Sequence, residues 1–409
     1  MKLLSWRELF GLKPRIQDLA RFLLVTARAH GDTGWTYDAR AGALRQEQGN
    51  GVLHLQNIFL EYLNSSRAGR SALLDKYASM MHDIAHEIPA MWTLAAKAIY
   101  PVVRSTYDAA FLEIHSRMQD GAPLRPAVCW PLASDLNLRL VYDHGASLAH
   151  VTQDQLQTWG QSHEAVRQKA FDNLRALERP TWREIAPGVH QVVSAVSFEE
   201  TLFLVDAVME RLPFAATAVV IPANRGVLLA ADGTSDEAML ALLDHAASTL
   251  RENPWPMSAT LLQRRGSEWV EFMPQGLVLQ RLRALQQINL HVIYRDQAEL
   301  LQKELGEDVF VATFALVQRG DGLENVCSWC TWSEGVPTLM PMTDLVVIAR
   351  QRPDGEFGPG LMLEWSHLWS VCGHRMQVSD DKPSRFMVNS FPDVAEWQKL
   401  EPLGERIGA

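Results

Sequence analysis

The stretch ENVCSWCTWSEGV, Glu324 to Val336, carries two of the four cysteines of this 409-residue chain at C-x-x-C spacing. Its flanks, VFVATFALVQ and LVVIAR, are apolar and β-favouring, and Val326, Trp329, Thr331 and Trp332 inside it are strand-formers too. Context therefore makes Asn325 to Trp332 a strand. In an extended segment, residues three apart point to opposite faces, so Cys327 and Cys330 cannot share one metal ion. A zinc knuckle needs a tight turn there instead. Cys372 and His374 would complete a four-ligand set on paper. However, Trp365, Leu368, Trp369 and Cys372 recur at helical i, i+3, i+4, i+7 spacing and read as a core stripe capped by Gly373. No metal or cofactor is expected.

Outward from this segment, helical and strand periodicities alternate along the chain, which predicts an α+β fold of mixed, mostly antiparallel sheets packed with helices. Three parts are expected, at approximate bounds of residues 1–150, 151–276 and 277–409, and Glu178 to Pro180 also reads as a domain boundary. Helices are predicted over Asp18–Ala29, Ile58–Ile88, Trp92–Met118 with a kink at Pro101, Gln153–Leu177, Phe198–Leu212, Asp236–Arg251, Leu277–Leu305 and Leu361–Cys372. Two short strands are read in WTYDARAGALRQEQGNGVLHL. LNLRLVYD, Leu136 to Asp143, is a half-buried strand with Leu136, Leu138, Leu140 and Tyr142 on one face and Asn137, Arg139 and Asp143 on the other.

Further strands are predicted at Trp182–Val196, Ala218–Ala231, Ala259–Phe272, Val309–Gln318, Leu345–Ala349 and Arg385–Val388. Ser197 and Glu200 have the S-x-x-E spacing of a capping box, a structural device. GEFGPG, Gly355 to Gly360, reads as a turn between a strand and a helix. The tail from Glu401 is expected to fray.

Composition excludes several classes. With 47% hydrophobic and 21% charged residues the chain is globular, and a formal charge of −10 argues against a nucleic-acid binder that neutralises phosphates with clustered cations. Arg7, Glu8 and Lys13 interrupt the N-terminus before it reaches the length of a signal-peptide core. No apolar run approaches the roughly 20 residues of a membrane-spanning helix. Four cysteines in so long a chain fit a reducing cytoplasm rather than a disulfide framework. Leu3, Trp6 and Phe10 mark a short docking helix. His82 and His86 are four apart, but the buried stripe of their helix lies opposite, so they read as a solvated face. The phosphate loop, dinucleotide fingerprint and nucleophile elbow are absent.

Several segments in order, GVLHLQNIFLEYL, ASDLNLRLVYD, PANRGVLLAADG, WSEGVPTLMPMTD and PSRFMV, give a resemblance over nearly the whole chain. The chain resembles the YtpQ-like bacterial family, a domain of unknown function catalogued as 1444. That resemblance implies a bacterial, intracellular, mixed α/β protein without an assigned activity. Within the matching segments, Asn224 and Arg225 are expected at the exposed tip of a strand pair, with Trp332, Glu334 and Asp344 at strand ends and turns. These five are the candidate ligand-binding residues. The first functional expectation is a cytoplasmic, non-catalytic module that binds another protein or a ligand. The alternative is a hydrolase or transferase acting on a small phosphorylated or nucleotide ligand, with Arg225 as anion clamp and Glu334 or Asp344 as base or metal ligand.

Overall fold

The computed structural model describes residues 13–39, 42–47, 51–66, 68–84, 87–118, 126–145, 147–177, 180–194, 198–318, 326–352 and 354–407. The expected docking helix at Leu3, Trp6 and Phe10, together with His86, Glu178, Ser197 and Asn325, lies outside them. The architecture is α+β, with mostly antiparallel sheets packed against helices.

The described residues begin with helix α1 (Ile16–Ala29), a meander of β1 (Trp35–Asp38), β2 (Ala43–Gln46) and β3 (Val52–His54), and helices α2 (Gln56–Asn64) and α3 (Gly69–Ile84). Three strands form where two were expected. The predicted helix Ile58–Ile88 is divided after Asn64, where Ser65 and Ser66 supply polar groups that compete with helical hydrogen bonds. Leu19, Leu23, Trp35, Leu44, Ile58, Tyr62 and Tyr77 close one core.

Next come α4 (Trp92–Ala95), β4 (Ile99–Ser105), α5 (Thr106–Arg117), β5 (Cys129–Ala133), β6 (Leu136–Asp143) and β7 (Leu148–His150). The long helix predicted over Trp92–Met118 is thus replaced by helix, strand and helix. Pro101 is not a kink but a member of β4, the outer strand of the order β4-β6-β5. Proline has no N–H to donate, and an edge strand is where that loss is tolerated. Two residues on, the outward N–H of Val103 donates to Thr201 Oγ1 at 2.9 Å, so the same edge is closed by a side chain.

β6 is less one-sided than its alternation suggests. Arg139 is 6% exposed and Val141 1%, so both faces of its centre are covered. One face packs on α6 (Gln153–Trp159) and α7 (His163–Arg175), which are parted at Gly160 rather than continuous.

A six-stranded antiparallel sheet follows, built from β8 (Thr181–Ala186), β9 (Val189–Val193), β10 (Ala218–Asn224), β11 (Val227–Asp232), β12 (Leu262–Arg265) and β13 (Glu268–Glu271) in the order β13-β12-β10-β11-β9-β8. The strands expected at Trp182–Val196 and Ala259–Phe272 are each hairpins. Phe198–Leu212, predicted as one helix, is a 3-10 segment (Glu199–Leu204) and a single turn α8 (Asp206–Met209). Every residue of β10 is buried. Val219 and Ile221 face α9 (Asp236–Glu252) and α10 (Gly276–Leu305), whereas Val220 joins Val102, Leu138, Phe198 and Leu202. One core therefore joins residues on both sides of position 150.

The remainder forms two sheets. β14 (Phe310–Val311) belongs to the order β14-β17-β21-β20, and β15 (Ala315–Gln318) to β15-β16-β18-β19-β22. The other members are β16 (Val326–Ser333), β17 (Thr338–Pro341), β18 (Leu345–Ala349), β19 (Gly360–Glu364), β20 (Met376–Val378), β21 (Arg385–Val388) and β22 (Glu405–Ile407), with α11 (Trp365–Cys372) and α12 (Val394–Leu400). Leu361–Cys372 is strand then helix, because buried Leu361 and Leu363 alternate before the helical stripe begins. The glycine-rich turn consequently joins two strands. The tail does not fray before Ile407, since β22 pairs with β19.

β16 alternates as its residues require: Ser328, Cys330 and Trp332 are buried, and Cys327, Trp329 and Thr331 lie on the other face. Trp332 is 1% exposed and meets Phe391 edge-on at 5.5 Å. Trp332→Ala is expected to lower unfolding free energy by about 3–5 kcal/mol, as for a large aromatic removed from a packed core. Urea denaturation that shows less than about 1 kcal/mol would contradict this placement.

Candidate functional site

The five sequence-predicted residues are not gathered in one place. Trp332 belongs to the core described above. Asp344 braces its own sheet, accepting from Ser328 N at 2.7 Å and Ser328 Oγ at 2.8 Å, and from Gln287 Nε2 at 3.3 Å. Glu334 accepts from the Gln351 amide at 3.0 Å. Asn224 is not at an exposed tip but 3% exposed, because Pro256 bridges to it and Met257 N donates to Ala223 O. Arg225 is the exposed member of the turn. Its guanidinium bonds Asp108 at 2.8 Å and lies over the Trp255 ring at 4.7 Å. Asp108, from α5, thus takes the place expected for Glu334 or Asp344 beside Arg225.

A different constellation surrounds Arg225. In β4–β7, the register places Val102, Arg104, Asn137, Arg139, Val141, Cys129 and His150 on one face, because Arg104 pairs with Asn137, Arg139 with both Val102 and Cys129, and Val141 with His150. The 3-10 segment covers part of this face. Glu200, fully buried, is ion-paired with Arg104, and its second oxygen accepts from Gly226 N at 2.7 Å. Gly226 has φ +75°, a region glycine alone enters freely, so the tight turn can present that amide. Glu200 is therefore a tie between two sheets rather than a helix cap.

Arg139 differs from its neighbours. Arg104 has Glu200 and Arg225 has Asp108, but Arg139 is 6% exposed and has no carboxylate of the described residues in ion-pair contact. Its Nη2 donates to Ser105 O at 3.5 Å, and its buried Nε has no acceptor among the described residues. The buried Nδ2 of Asn224 lacks an acceptor likewise. Buried charge without a partner is costly. Burial lowers the Arg139 pKa; Asp108 and Cys129 oppose that shift and Arg225 adds to it. Arg104 is also lowered by burial, against the opposing pull of Glu200.

His150 and Cys129 are exposed on this face. His150 is nevertheless desolvated, and with Arg139, Arg104 and Arg225 nearby its imidazole is pushed down to about 3. Buried Arg139 has exposed Cys129 opposite it, and exposed His150 stands opposite Val141 on the same face, so the guanidinium lies below the surface that these two side chains share, in a recess. This face thus combines two guanidiniums paired with carboxylates, one without such a partner among the described residues, and an imidazole kept neutral. That set donates hydrogen bonds to an anion and carries the charge to hold it.

Sequence reasoning missed Arg104, Arg139, Glu200 and His150 as site residues, and Cys129 as the exposed thiol beside them. A signal existed for Arg139, a lone cation within LNLRLVYD, but alternation assigned it to the solvent face. Arg104 was hidden by reading β4 as helix. Among the described residues, no group of three or more His, Cys, Asp or Glu side chains is placed to hold a metal ion. No protein-family model, curated protein or solved structure matches the chain.

Glu199 has its Oε2 3.5 Å from where a side chain on Gly226 would begin. Burial raises its pKa from 4.5 to about 7, with Glu200 adding to the shift. A raised folded pKa means that this carboxyl favours the folded state below about pH 4.5 and loses that contribution as pH rises through 7. Glu199→Gln should therefore gain stability relative to the native chain between pH 5 and pH 8, by on the order of 1 kcal/mol after discounting for partial exposure. A difference that stays constant between these pH values would contradict it. Removing the tie is expected to be more severe: Glu200→Ala, which leaves Arg104 buried and alone, should cost about 3–5 kcal/mol. In urea denaturation, Arg104→Met with Glu200→Ala should recover part of that loss.

Proposed function

We propose that this chain is a non-catalytic binding module for a small phosphorylated or carboxylate ligand, held in the recess around Arg139. The observation that carries the reading is the buried Arg139 guanidinium, whose neighbours Arg104 and Arg225 each have a carboxylate while it has none. An anion there supplies the missing countercharge, and phosphate or carboxylate oxygens match the planar donors of arginine.

Two further features support this. The chain carries a formal charge of −10, so a cationic recess is a local feature with selectivity for anions rather than part of a generally basic surface. His150, at about 3, stays neutral near pH 7 and contributes a hydrogen bond, being too weak a base to take a proton there. Arg225, read from sequence as an anion clamp, acts in this proposal as a positioning residue, fixed by Asp108 and Trp255 at the rim.

The described residues include no helix long and apolar enough to cross a membrane. A cytoplasmic location and membership of the YtpQ-like family belong to the same proposal, the second resting on the segments quoted from the sequence.

Titration calorimetry with inorganic phosphate and small phosphomonoesters tests the reading. The native chain is expected to bind with one site per chain, and affinity should fall as salt rises because the contact is ionic. Arg139→Met should weaken binding at least about tenfold, the effect of removing one charge-assisted contact. Arg251→Met, altered at the exposed last turn of α9, serves as a comparison and should leave binding unchanged. Equal binding by the native and Arg139→Met chains would overturn the proposal.

A further inference from the structure

We infer that Cys129 is a charge-selective modification site, at which acidic low-molecular-weight disulfides attach covalently and thereby close the recess. The inference rests on the anion-binding reading of Arg139 and extends it to control of that site.

The four cysteines occupy different surroundings. Cys330 and Cys372 are fully buried, and burial pushes each thiol up to about 12, which keeps them protonated and unreactive. Cys327 is half-buried on β16, opposite Val317. Cys129 is exposed, and its cross-strand partner is Arg139. Directly opposed side chains on one face of an antiparallel pair have Cβ atoms about 4.5–5.5 Å apart. The thiol therefore stands beside the one guanidinium of the recess that has an orphaned, buried Nε.

Charge decides which reagent arrives. Arg139, Arg104 and Arg225 surround the face, Glu200 and Asp108 are the paired carboxylates, Glu113 acts on Arg139 from outside ion-pair contact, and His150 is neutral. An acidic disulfide is drawn into this field and its carboxylate meets the open donors of Arg139, whereas a cationic one is repelled. The Cys129 thiolate then attacks one sulfur of the reagent. A new S–S bond forms to Cys129, the original S–S bond breaks, and the departing thiolate keeps the electron pair and takes a proton from water. Cys129 is oxidised and half of the reagent is reduced, so no other oxidant enters. The attached acid lies across Arg139, where it fills the donors that a free anion would use. A reductant restores the site.

The test compares three reagents of similar size on the folded chain: dithiodipropionic acid, hydroxyethyl disulfide and cystamine. Adduct formation is followed by intact mass and located by peptide mapping. The expected result is one fast adduct, on Cys129, formed at least about tenfold faster with the acid than with cystamine, a ratio that falls toward parity when salt is raised from about 0.05 to 0.5 M. Cys129→Ser removes the fast adduct, Cys327→Ser does not, and Arg139→Gln lowers the acid-to-cation ratio. The salt series uses the native chain, so the outcome does not depend on Arg139→Gln folding. Phosphate binding should be lost in the modified chain, retained by Cys129→Ser, and recovered after reduction.

Fast modification at Cys327 instead, or equal rates for the three reagents, would overturn the inference even if phosphate binds. Charge-selective modification of Cys129 without phosphate binding would leave the selective thiol standing and remove the binding proposal beneath it.

Discussion

The buried pair of Arg104 and Glu200 is the constraint on which the functional face depends. Arg104 comes from the edge strand β4, Glu200 from the 3-10 segment, and the Gly226 amide that Glu200 also accepts from the β10–β11 turn. Two carboxylate oxygens thus join three segments that are distant in sequence, with Thr201 closing the edge of β4 beside them. Remove this tie and the Arg225 turn keeps, of the bonds described, only the Asp108 pair as a link to the β4–β7 part of the fold. A buried ion pair is weak evidence for stability in itself, because desolvation offsets much of its attraction. Its role here is positional: it sets where the other cations can stand.

The consequence is an imbalance of charge within a small volume. Arg104 and Arg225 each consume a carboxylate, and Arg139 consumes none. Its guanidinium stays charged under ordinary conditions, so the fold carries a buried demand for an anion. The buried amide of Asn224 adds a second unsatisfied donor. Buried polar groups without partners are uncommon in folded proteins, and the proposed anion would answer the one at Arg139. A contrasting case lies in the C-terminal sheets. Arg385 is also fully buried with orphaned nitrogens, but it stands on the Tyr294 ring and donates to Tyr294 O, and no accessible thiol or imidazole is paired to it in register.

The periodic parts of the fold were legible in the sequence. β6, β10, β11, β16, β18 and helices α1, α9 and α10 stand where alternation or helical spacing placed them, and the strand geometry of Cys327 and Cys330 followed from the period alone. Failures came where a local rule met tertiary context. Pro101 reads as a helix kink until β4 is known to be an edge strand, and Leu361 to Cys372 changes period halfway. The site was harder still. Glu200 has the spacing of a capping box, Arg139 the phase of a solvent-facing residue, and only the packing of the 3-10 segment onto β4 reassigns them. Asn224 and Arg225 were correctly drawn to the same turn, but one is buried and the other exposed, a division set by Trp255 and Pro256 from a later loop. Partners that arrive from elsewhere in the chain leave no periodic mark.

The central claim is that the Arg139 guanidinium is the anion-acceptor of the fold. Nitrogen-15 NMR of the arginine Nε–H groups during a phosphate titration reads this directly, with assignment by single substitution. The Arg139 Nε–H signal is expected to shift saturably and by more than any other arginine's, with Arg104 and Arg225 following weakly. A titration in which Arg139 stays still while exposed arginines drift without saturation would contradict it.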